Sequence, residues 1–329
     1  MKVLITGGGI IGRNHAQALA RLPQAELVAV AEPSAEAAAQ FGVKTFASQA
    51  EALAQADVDL VVICTPSGTH ADLATEALHA GKHVVVEKPL DVSLPRALAL
   101  AALAASLPAQ VFSVISQHRF DPGALAVASA VAQGDLGVIT SATATVPWWR
   151  PDSYYDLAQW RGTSQMDGGS TMNQGIHTID LLRMFLGDVT DVTAFTARLA
   201  HSTMETEDVT AAAIRFASGS LATFHSTTAA YPGQPVRVQV HGTRGSAIIS
   251  DDDLIYLGSA DLAPLPKSPD AFVLGHLRQY EDVLAAVRDK RPPAVTAGDG
   301  VQALAIVTAL YRSAATGCAV SLSSVLGER

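Results

Sequence analysis

The feature that most constrains this chain is a glycine run set between a short apolar stretch and a helical pattern: Val3 to Thr6, then Gly7-Gly8-Gly9-Ile10-Ile11-Gly12. It has the form G-x-G-x-x-G, placed after a strand and opening a helix. There glycine permits a tight turn and a close backbone approach to a pyrophosphate, whose charge is stabilised by helix N-terminal amides. Alone, such a run is no more than a tight strand-to-helix turn. Glu32 stands 20 residues beyond Gly12, at the end of the next apolar stretch, where a carboxylate can accept ribose hydroxyls. Together these residues predict a dinucleotide site built from Gly7, Gly9, Ile10, Ile11, Gly12 and Glu32. A carboxylate there repels a 2′-phosphate and no Arg follows it before Arg96, so NAD is favoured over NADP, with Lys44 weighing the other way.

Over the first third, β-branched runs at Val3 to Thr6, Leu27 to Ala31, Leu60 to Cys64, Val84 to Glu87 and Val111 to Ser116 alternate with helical patterns. This is the rhythm of a doubly wound parallel sheet with right-handed crossovers. It changes after Phe120-Asp121-Pro122, which predicts a dinucleotide-binding domain over residues 1–120 and a second domain over 121–329, with the last helices able to pack back on the first. In the second part a helix is expected from Gly123 to Gln133. Strand candidates then follow one another at Val138 to Val146, Val192 to Leu199, Val209 to Phe216, Ser220 to Ser226, Val236 to Val240 and Ser246 to Ile249. Turn pairs such as Ser218-Gly219 and Arg244-Gly245 suit a largely antiparallel, open sheet. Helices are expected at Thr171 to Leu186, Leu274 to Lys290 and Gly300 to Thr316.

Composition excludes several classes. With 329 residues, 49% hydrophobic and 16% charged, the chain can hold real cores. A formal charge of -9 without a basic run speaks against nucleic acid. The two cysteines, Cys64 and Cys318, supply neither a disulfide framework nor a zinc spacing, so no metal is expected and the setting is read as reduced and cytoplasmic. MKVLITGGG lacks the apolar core of a signal peptide, and the most apolar helix candidate, Leu94 to Leu107, is shorter than the ~20 residues that span a bilayer, so no membrane partner is expected.

Two segments carry chemistry beyond the glycine loop. Thr65-Pro66-Ser67-Gly68-Thr69-His70 follows the third strand candidate, at the carboxyl edge where ligands sit in open α/β sheets. Thr65, Pro66 and His70 can face the cofactor there; the plain alternatives are Thr69 as a helix cap and His70 as a first-turn surface residue. Glu87-Lys88-Pro89 ends the strand at Val84 to Val86. Lys88 can donate to a substrate oxygen and stabilise alkoxide character, and burial would lower its pKa toward a useful value. A surface pair of Glu87 with Lys88 is the bland alternative. In Asp167-Gly168-Gly169-Ser170-Thr171-Met172-Asn173-Gln174-Gly175-Ile176-His177-Thr178-Ile179-Asp180, the residues Asn173, His177 and Asp180 share one face of an ideal helix, with His177 able to act as acid or base, its ring oriented by Asp180 or a backbone group, and with Asn173 and Asp180 expected to bind the substrate.

Gly7 to Gly12 with His15, then Glu87-Lys88-Pro89, the Gly168-Gly169 helix with Gly175-Ile176-His177 and Asp180, and Tyr311-Arg312-Ser313 resemble the glucose-fructose oxidoreductase, inositol dehydrogenase and rhizopine-catabolism family, Gfo/Idh/MocA. The resemblance covers nearly the whole chain. It implies a Rossmann domain, a C-terminal α+β domain with a large open, mostly antiparallel sheet, oligomerisation through that sheet as a homodimer or homotetramer, and catalysis by Lys88 and His177. Asn173 departs from the aspartate common in the family, and an amide neither accepts a proton nor holds charge beside His177. Position 173 is therefore read as a substrate hydrogen-bonder.

All three tryptophans, Trp148, Trp149 and Trp160, lie in one segment with Tyr154, Tyr155, Arg150 and Arg161. Aromatic faces suit sugar C–H faces and arginines hold carboxylates or phosphates, which makes Tyr155, Trp160 and Arg161 substrate candidates; a lid or subunit contact is the even alternative. His118-Arg119 can face the ligand or bridge the domains. The leading expectation is reversible oxidation of a secondary alcohol on a sugar, cyclitol or sugar derivative with NAD. An NAD-dependent glycosidase working through transient oxidation and a non-catalytic nucleotide sensor are the alternatives.

Overall fold

The computed structural model describes residues 1–258, 260–261 and 271–327. In chain order it runs β1 (Lys2–Thr6), α1 (Ile10–Leu19), β2 (Glu26–Ala31), α2 (Ala35–Ala39), β3 (Lys44–Phe46), α3 (Gln49–Gln55) and β4 (Leu60–Ile63). Next come α4 (His70–His79), β5 (His83–Val86), α5 (Leu94–Ser106), β6 (Phe112–Val114), α6 (Pro122–Ala132), β7 (Ile139–Pro147) and α7 (Asp152–Asp156). A π-helical turn (Thr171–Gly175) leads into α8 (Ile176–Leu186), followed by β8 (Val189–Ala197), β9 (Val209–Phe216), β10 (Leu221–Thr227), β11 (Arg237–Gly242) and β12 (Ser246–Ser250). Last are β13 (Asp253–Gly258), β14 (Ala260–Asp261), α9 (Ala271–Asp289), α10 (Ala297–Thr316), β15 (Val320–Ser321) and α11 (Leu322–Leu326). Two compact units result, one of Met1–Gln117 with Pro269–Val301 and one of His118–Ser268 with Gln302–Arg329.

The first unit is a six-stranded parallel sheet in the order β3-β2-β1-β4-β5-β6. The middles of its central strands are apolar because helices cover both faces: every residue of β4, and Val84, Val85 and Val86 of β5, is fully buried. The order reverses between β1 and β4, the switch point outside which ligands bind in such sheets. Strand β3, only Lys-Thr-Phe, is too short to show a period and escapes the sequence reading. Helix α9 completes this core from far along the chain, with Val273, Tyr280, Val283 and Ala286 packed among Val3, Ile5, Ala18 and Leu19. It also closes the sheet edge. Gln279 accepts from the Ser116 amide at 3.0 Å and donates to the Val114 carbonyl at 2.7 Å, standing in for a neighbouring strand beside β6.

The second unit is a nine-stranded sheet in the order β14-β13-β12-β11-β7-β10-β9-β8-β15. The β7–β10 pair is parallel and the other pairs are antiparallel. Alternation along β7 buries Ala142, Ala144 and Val146 on one face, the side against which α8 packs with Ile176, Ile179 and Leu182. The expected α/β Rossmann sheet and mostly antiparallel sheet are both present. The expected helix from Thr171 to Leu186 is not one regular helix: its first turn is π-helical, which rotates Asn173 away from the position an ideal α-helix would give it relative to His177.

Candidate active site

The glycine loop is built as its spacing requires. Gly7 has φ +99°, and a Cβ there would lie 2.7 Å from the Cys64 carbonyl carbon; a Cβ on Gly12 would lie 2.1 Å from the Gly7 carbonyl oxygen. Gly9 opens α1 with open space above it, no side-chain cap and no acidic residue in the first turn. The amides of that turn thus keep their positive end for an anion. Ile10 is largely exposed beside them. Glu32 meets the loop directly: Oε2 accepts from the Gly8 amide at 2.7 Å and Oε1 from the Ser34 amide at 2.9 Å. A Cβ on Gly8 would fall 2.9 Å from Glu32 Cγ, so that glycine, which the motif leaves variable, is needed for the carboxylate to approach. These groups fit a dinucleotide. Lys44 packs its ammonium 4.7 Å from the Phe46 ring centroid.

Two expectations for the Thr65–His70 segment need correction. Thr69 stands at the N-cap of α4, yet its hydroxyl donates to the Pro66 carbonyl at 2.7 Å and lies 2.7 Å from the Thr65 hydroxyl, so it closes its own loop instead of capping the helix. His70 is not a surface residue. It is buried, with Nε2 2.9 Å from the Thr65 carbonyl and Nδ1 2.7 Å from the Pro89 carbonyl, because the loops after β4 and β5 close over it. Burial pushes its pKa below the ordinary value, against the pull of the two carbonyls. His70 ties the Thr65-Pro66 loop to the Lys88-Pro89 turn.

Glu87 and Lys88 are not a surface pair. Glu87 is buried, its Oε1 lies 3.0 Å from His15 Nε2 and 3.5 Å from His276 Nε2, and its Oε2 accepts from the Lys88 amide at 3.0 Å. Burial alone would raise its pKa, but the bonds to His15 and His276 and the charge of Lys88 outweigh it and hold the carboxyl well below its ordinary value. Burial pushes His15 down toward the neutral form. A neutral ring donating from Nε2 to Glu87 accepts at Nδ1, and the Tyr280 hydroxyl is 2.6 Å away to donate. The order Tyr280 to His15 to Glu87 therefore places a fixed negative charge under the backbone of half-buried Lys88, at the carboxyl edge of β5. His15 is marked in the sequence by its place after the glycines; His276 and Tyr280 carry no such mark, being more than 260 residues farther on.

In the second unit the Gly168-Gly169 pair acquires a specific purpose. Gly168 has φ +81°, and a Cβ on Gly169 would sit 1.7 Å from Glu207 Oε2. The missing side chain admits the Glu207 carboxylate to the start of the π turn, where Oε1 accepts from the Thr171 amide at 2.8 Å and from the Tyr311 hydroxyl at 3.1 Å. Glu207 thus caps the helix that carries Asn173, His177 and Asp180. Burial lifts its pKa to about 7, against the lowering by Thr171 and Tyr311. Nothing local in Glu205-Thr206-Glu207-Asp208 sets Glu207 apart from its acidic neighbours.

The candidates on this helix have different surroundings. Asn173 donates its side-chain amide to buried Asp167, whose other oxygen accepts from the Gly162 amide at 2.7 Å. Asp180 receives Arg119 in a two-pronged pair, Nε at 2.7 Å and Nη2 at 2.5 Å. His177 meets His118 edge to face, ring centroids 5.1 Å apart. Asp121 and Asp252 raise His118 to about 9 against the cost of burial, so its ring is cationic at neutral pH beside His177. Tyr155 is buried and donates to Thr228 Oγ1 at 2.9 Å, while Trp160 and Arg161 are half-buried on the adjoining turn.

Comparison with known proteins decides the family. Residues 1–115 match the oxidoreductase family with NAD-binding Rossmann fold, and residues 124–248 match the GFO/IDH/MocA C-terminal domain. The chain is 30% identical to an inositol 2-dehydrogenase of Rhizobium meliloti (strain 1021) over 97% of its own length and 98% of the relative's. This chain belongs to the GFO/IDH/MocA oxidoreductase family. It is also 26% identical to the scyllo-inositol 2-dehydrogenase (NAD(+)) of Bacillus subtilis (strain 168), covering 98% of this chain and 96% of that one. Among solved structures, the WlbA dehydrogenase of Bordetella pertussis in complex with NADH and UDP-GlcNAcA superposes with a TM-score of 0.89 at 32% identity, covering 98% and 97% of the two chains. The family binds NAD, in agreement with the glycine loop and Glu32. Among the described residues no helix is long and apolar enough to cross a membrane.

Proposed function

We propose that this oxidoreductase reversibly oxidises a secondary alcohol on a sugar, cyclitol or sugar derivative, with Lys88 acting on the reacting oxygen and His177 as acid and base. The dinucleotide is assigned to Gly7, Gly9, Ile10, Ile11, Gly12 and Glu32, with Thr65, Pro66, Glu87 and Lys88 toward its reactive end and His70 holding those two loops. Bound NAD supplies the acceptor for the hydride that leaves the alcohol carbon. As the hydroxyl proton passes to His177, negative charge builds on the oxygen, to which Lys88 donates; that charge collapses into the carbonyl bond as the hydride leaves. Asn173 positions a substrate hydroxyl, and Asp180 acts through Arg119. The observation that carries this reading is the ionised Glu87 fixed beneath Lys88 in the same unit as an uncapped, glycine-opened helix. Two of the relatives named above act on inositols and the solved one holds a nucleotide-linked sugar acid, which supports a polyhydroxylated substrate. A homodimer or homotetramer built on the open sheet, where Phe195 and Leu221 are exposed, completes it.

The test is a screen of polyols, inositols, aldoses and sugar acids with NAD and NADP, read by nicotinamide absorbance, followed by Lys88→Met. The variant is expected to keep NAD affinity and to lose about 100-fold or more in turnover. Unchanged turnover refutes the role of Lys88; glycoside cleavage without accumulating reduced cofactor, or cofactor binding without any turnover, refutes net alcohol oxidation.

A further inference from the structure

Resting on that reading of a sugar substrate, we infer that Arg150 and Arg161 form a binding site for an oxyanion, so that the sugar or cyclitol oxidised here carries a carboxylate or a phosphate. Both guanidinium groups stack on one ring: the central carbon of Arg150 lies 5.0 Å from the Tyr154 centroid and that of Arg161 4.2 Å from it. Each also covers a tryptophan, Trp148 at 5.0 Å and Trp160 at 4.8 Å. Stacking fixes the planar groups but does not neutralise them.

Among the described residues neither arginine has a carboxylate within 4.0 Å, although Asp152 and Asp156 flank them in α7, and the Nε of each is buried without a hydrogen-bond partner. Arg119, in the same unit, shows the contrast, being matched by Asp180. In a chain of formal charge -9, two stacked cations held together without a counter-charge leave a local positive site for an anion. Planar, preoriented guanidinium groups match carboxylate and phosphate oxygens, and the surrounding indole and phenol faces match the C–H face of a sugar ring.

The segment is anchored, which separates it from a loose surface loop. Trp148 donates its amide to the Thr227 carbonyl at 3.0 Å, Arg150 to that of Thr228 at 2.9 Å, and Tyr155 is fixed to Thr228. Gly162, next to Arg161, reaches Asp167, which in turn receives Asn173. One chain of hydrogen bonds therefore links the arginine turn to the helix that carries His177.

Two of the chain's three tryptophans, Trp148 and Trp160, stack on these arginines and the third, Trp149, is their neighbour in sequence, so tryptophan fluorescence reports on the site. The probes are D-glucuronate, UDP and, as the neutral control, myo-inositol, each titrated with saturating NAD present so that the cofactor site is filled. A saturable fluorescence change with D-glucuronate alone assigns a carboxylate and one with UDP assigns a phosphate. Either response is expected to weaken at least 10-fold in Arg150→Gln and in Arg161→Gln, and less in Arg161→Lys, which keeps the charge. No response to either anion, equal response to myo-inositol, or Gln variants that change only the mass of the assembly overturns the proposal. Lys88→Met is expected to retain the anion response, so failure of the catalytic assignment and failure of this one are read separately.

Discussion

Replacing Glu207 by Gln should remove a pH dependence of stability that the wild type carries across the neutral range. The carboxylate is enclosed against Gly169 and beneath Tyr311, and burial lifts its pKa to about 7 from an ordinary 4.5. Because the folded state holds the proton more tightly than the unfolded chain, the stabilising contribution is complete below pH 4.5 and is lost as the pH rises through about 7. The gap corresponds to about 3 kcal/mol, since one pKa unit is about 1.4 kcal/mol. Glutamine is close in shape to the protonated acid, so wild type and Glu207→Gln should melt together near pH 4.5. The variant should then gain on the wild type by roughly 6–12 °C by pH 8, at about 2–4 °C per kcal/mol for a unit of this size. Thermal melts of both proteins at half-unit steps of pH provide the measurement. A constant difference in Tm from pH 4.5 to 8 would refute the argument that this carboxylate is held protonated by its enclosure.

Two further outcomes follow. Gly12→Ala should lose at least about 100-fold in NAD affinity by calorimetric titration, because its Cβ would stand 2.1 Å from the Gly7 carbonyl oxygen and something in the loop must move. His118→Asn should flatten stability at alkaline pH: the wild-type ring, raised to about 9 by Asp121 and Asp252, contributes stability fully present below pH 6.5 and lost as the pH passes through about 9, so denaturant midpoints of the two proteins should draw together above that pH.

The elements with the clearest repeating patterns were legible in the sequence. Val209–Phe216 is a strand with the bounds its alternation predicts, and β1, β2, β4, β5 and β6 fall where the β-branched runs stand. Short elements such as β3, α7 and β14 were not, because a two- to five-residue piece holds no period and is shaped by its neighbours. The glycine loop and Glu32 announce themselves by spacing, since close approach of backbone demands glycine at fixed offsets. Groups that act through distant partners leave no local trace. Glu207 and Tyr280 meet Thr171 and His15 only after long stretches of chain have folded, and the π turn that displaces Asn173 is absent from any ideal helical wheel. His70 misled for a related reason: an imidazole in the first turn of a helix reads as solvated until the turn after β5 closes over it.

The glutamine at position 279, whose side-chain amide stands in for a peptide group beside β6, has a consequence for biosynthesis. The parallel sheet is complete in sequence by residue 114, yet its last strand stays open as a template for foreign strands until translation has gone some 165 residues further. A nascent or truncated chain ending near residue 120 would therefore expose both a bare strand and the hollow that Tyr280 fills, which makes helix α9 a built-in chaperone for the amino-terminal sheet.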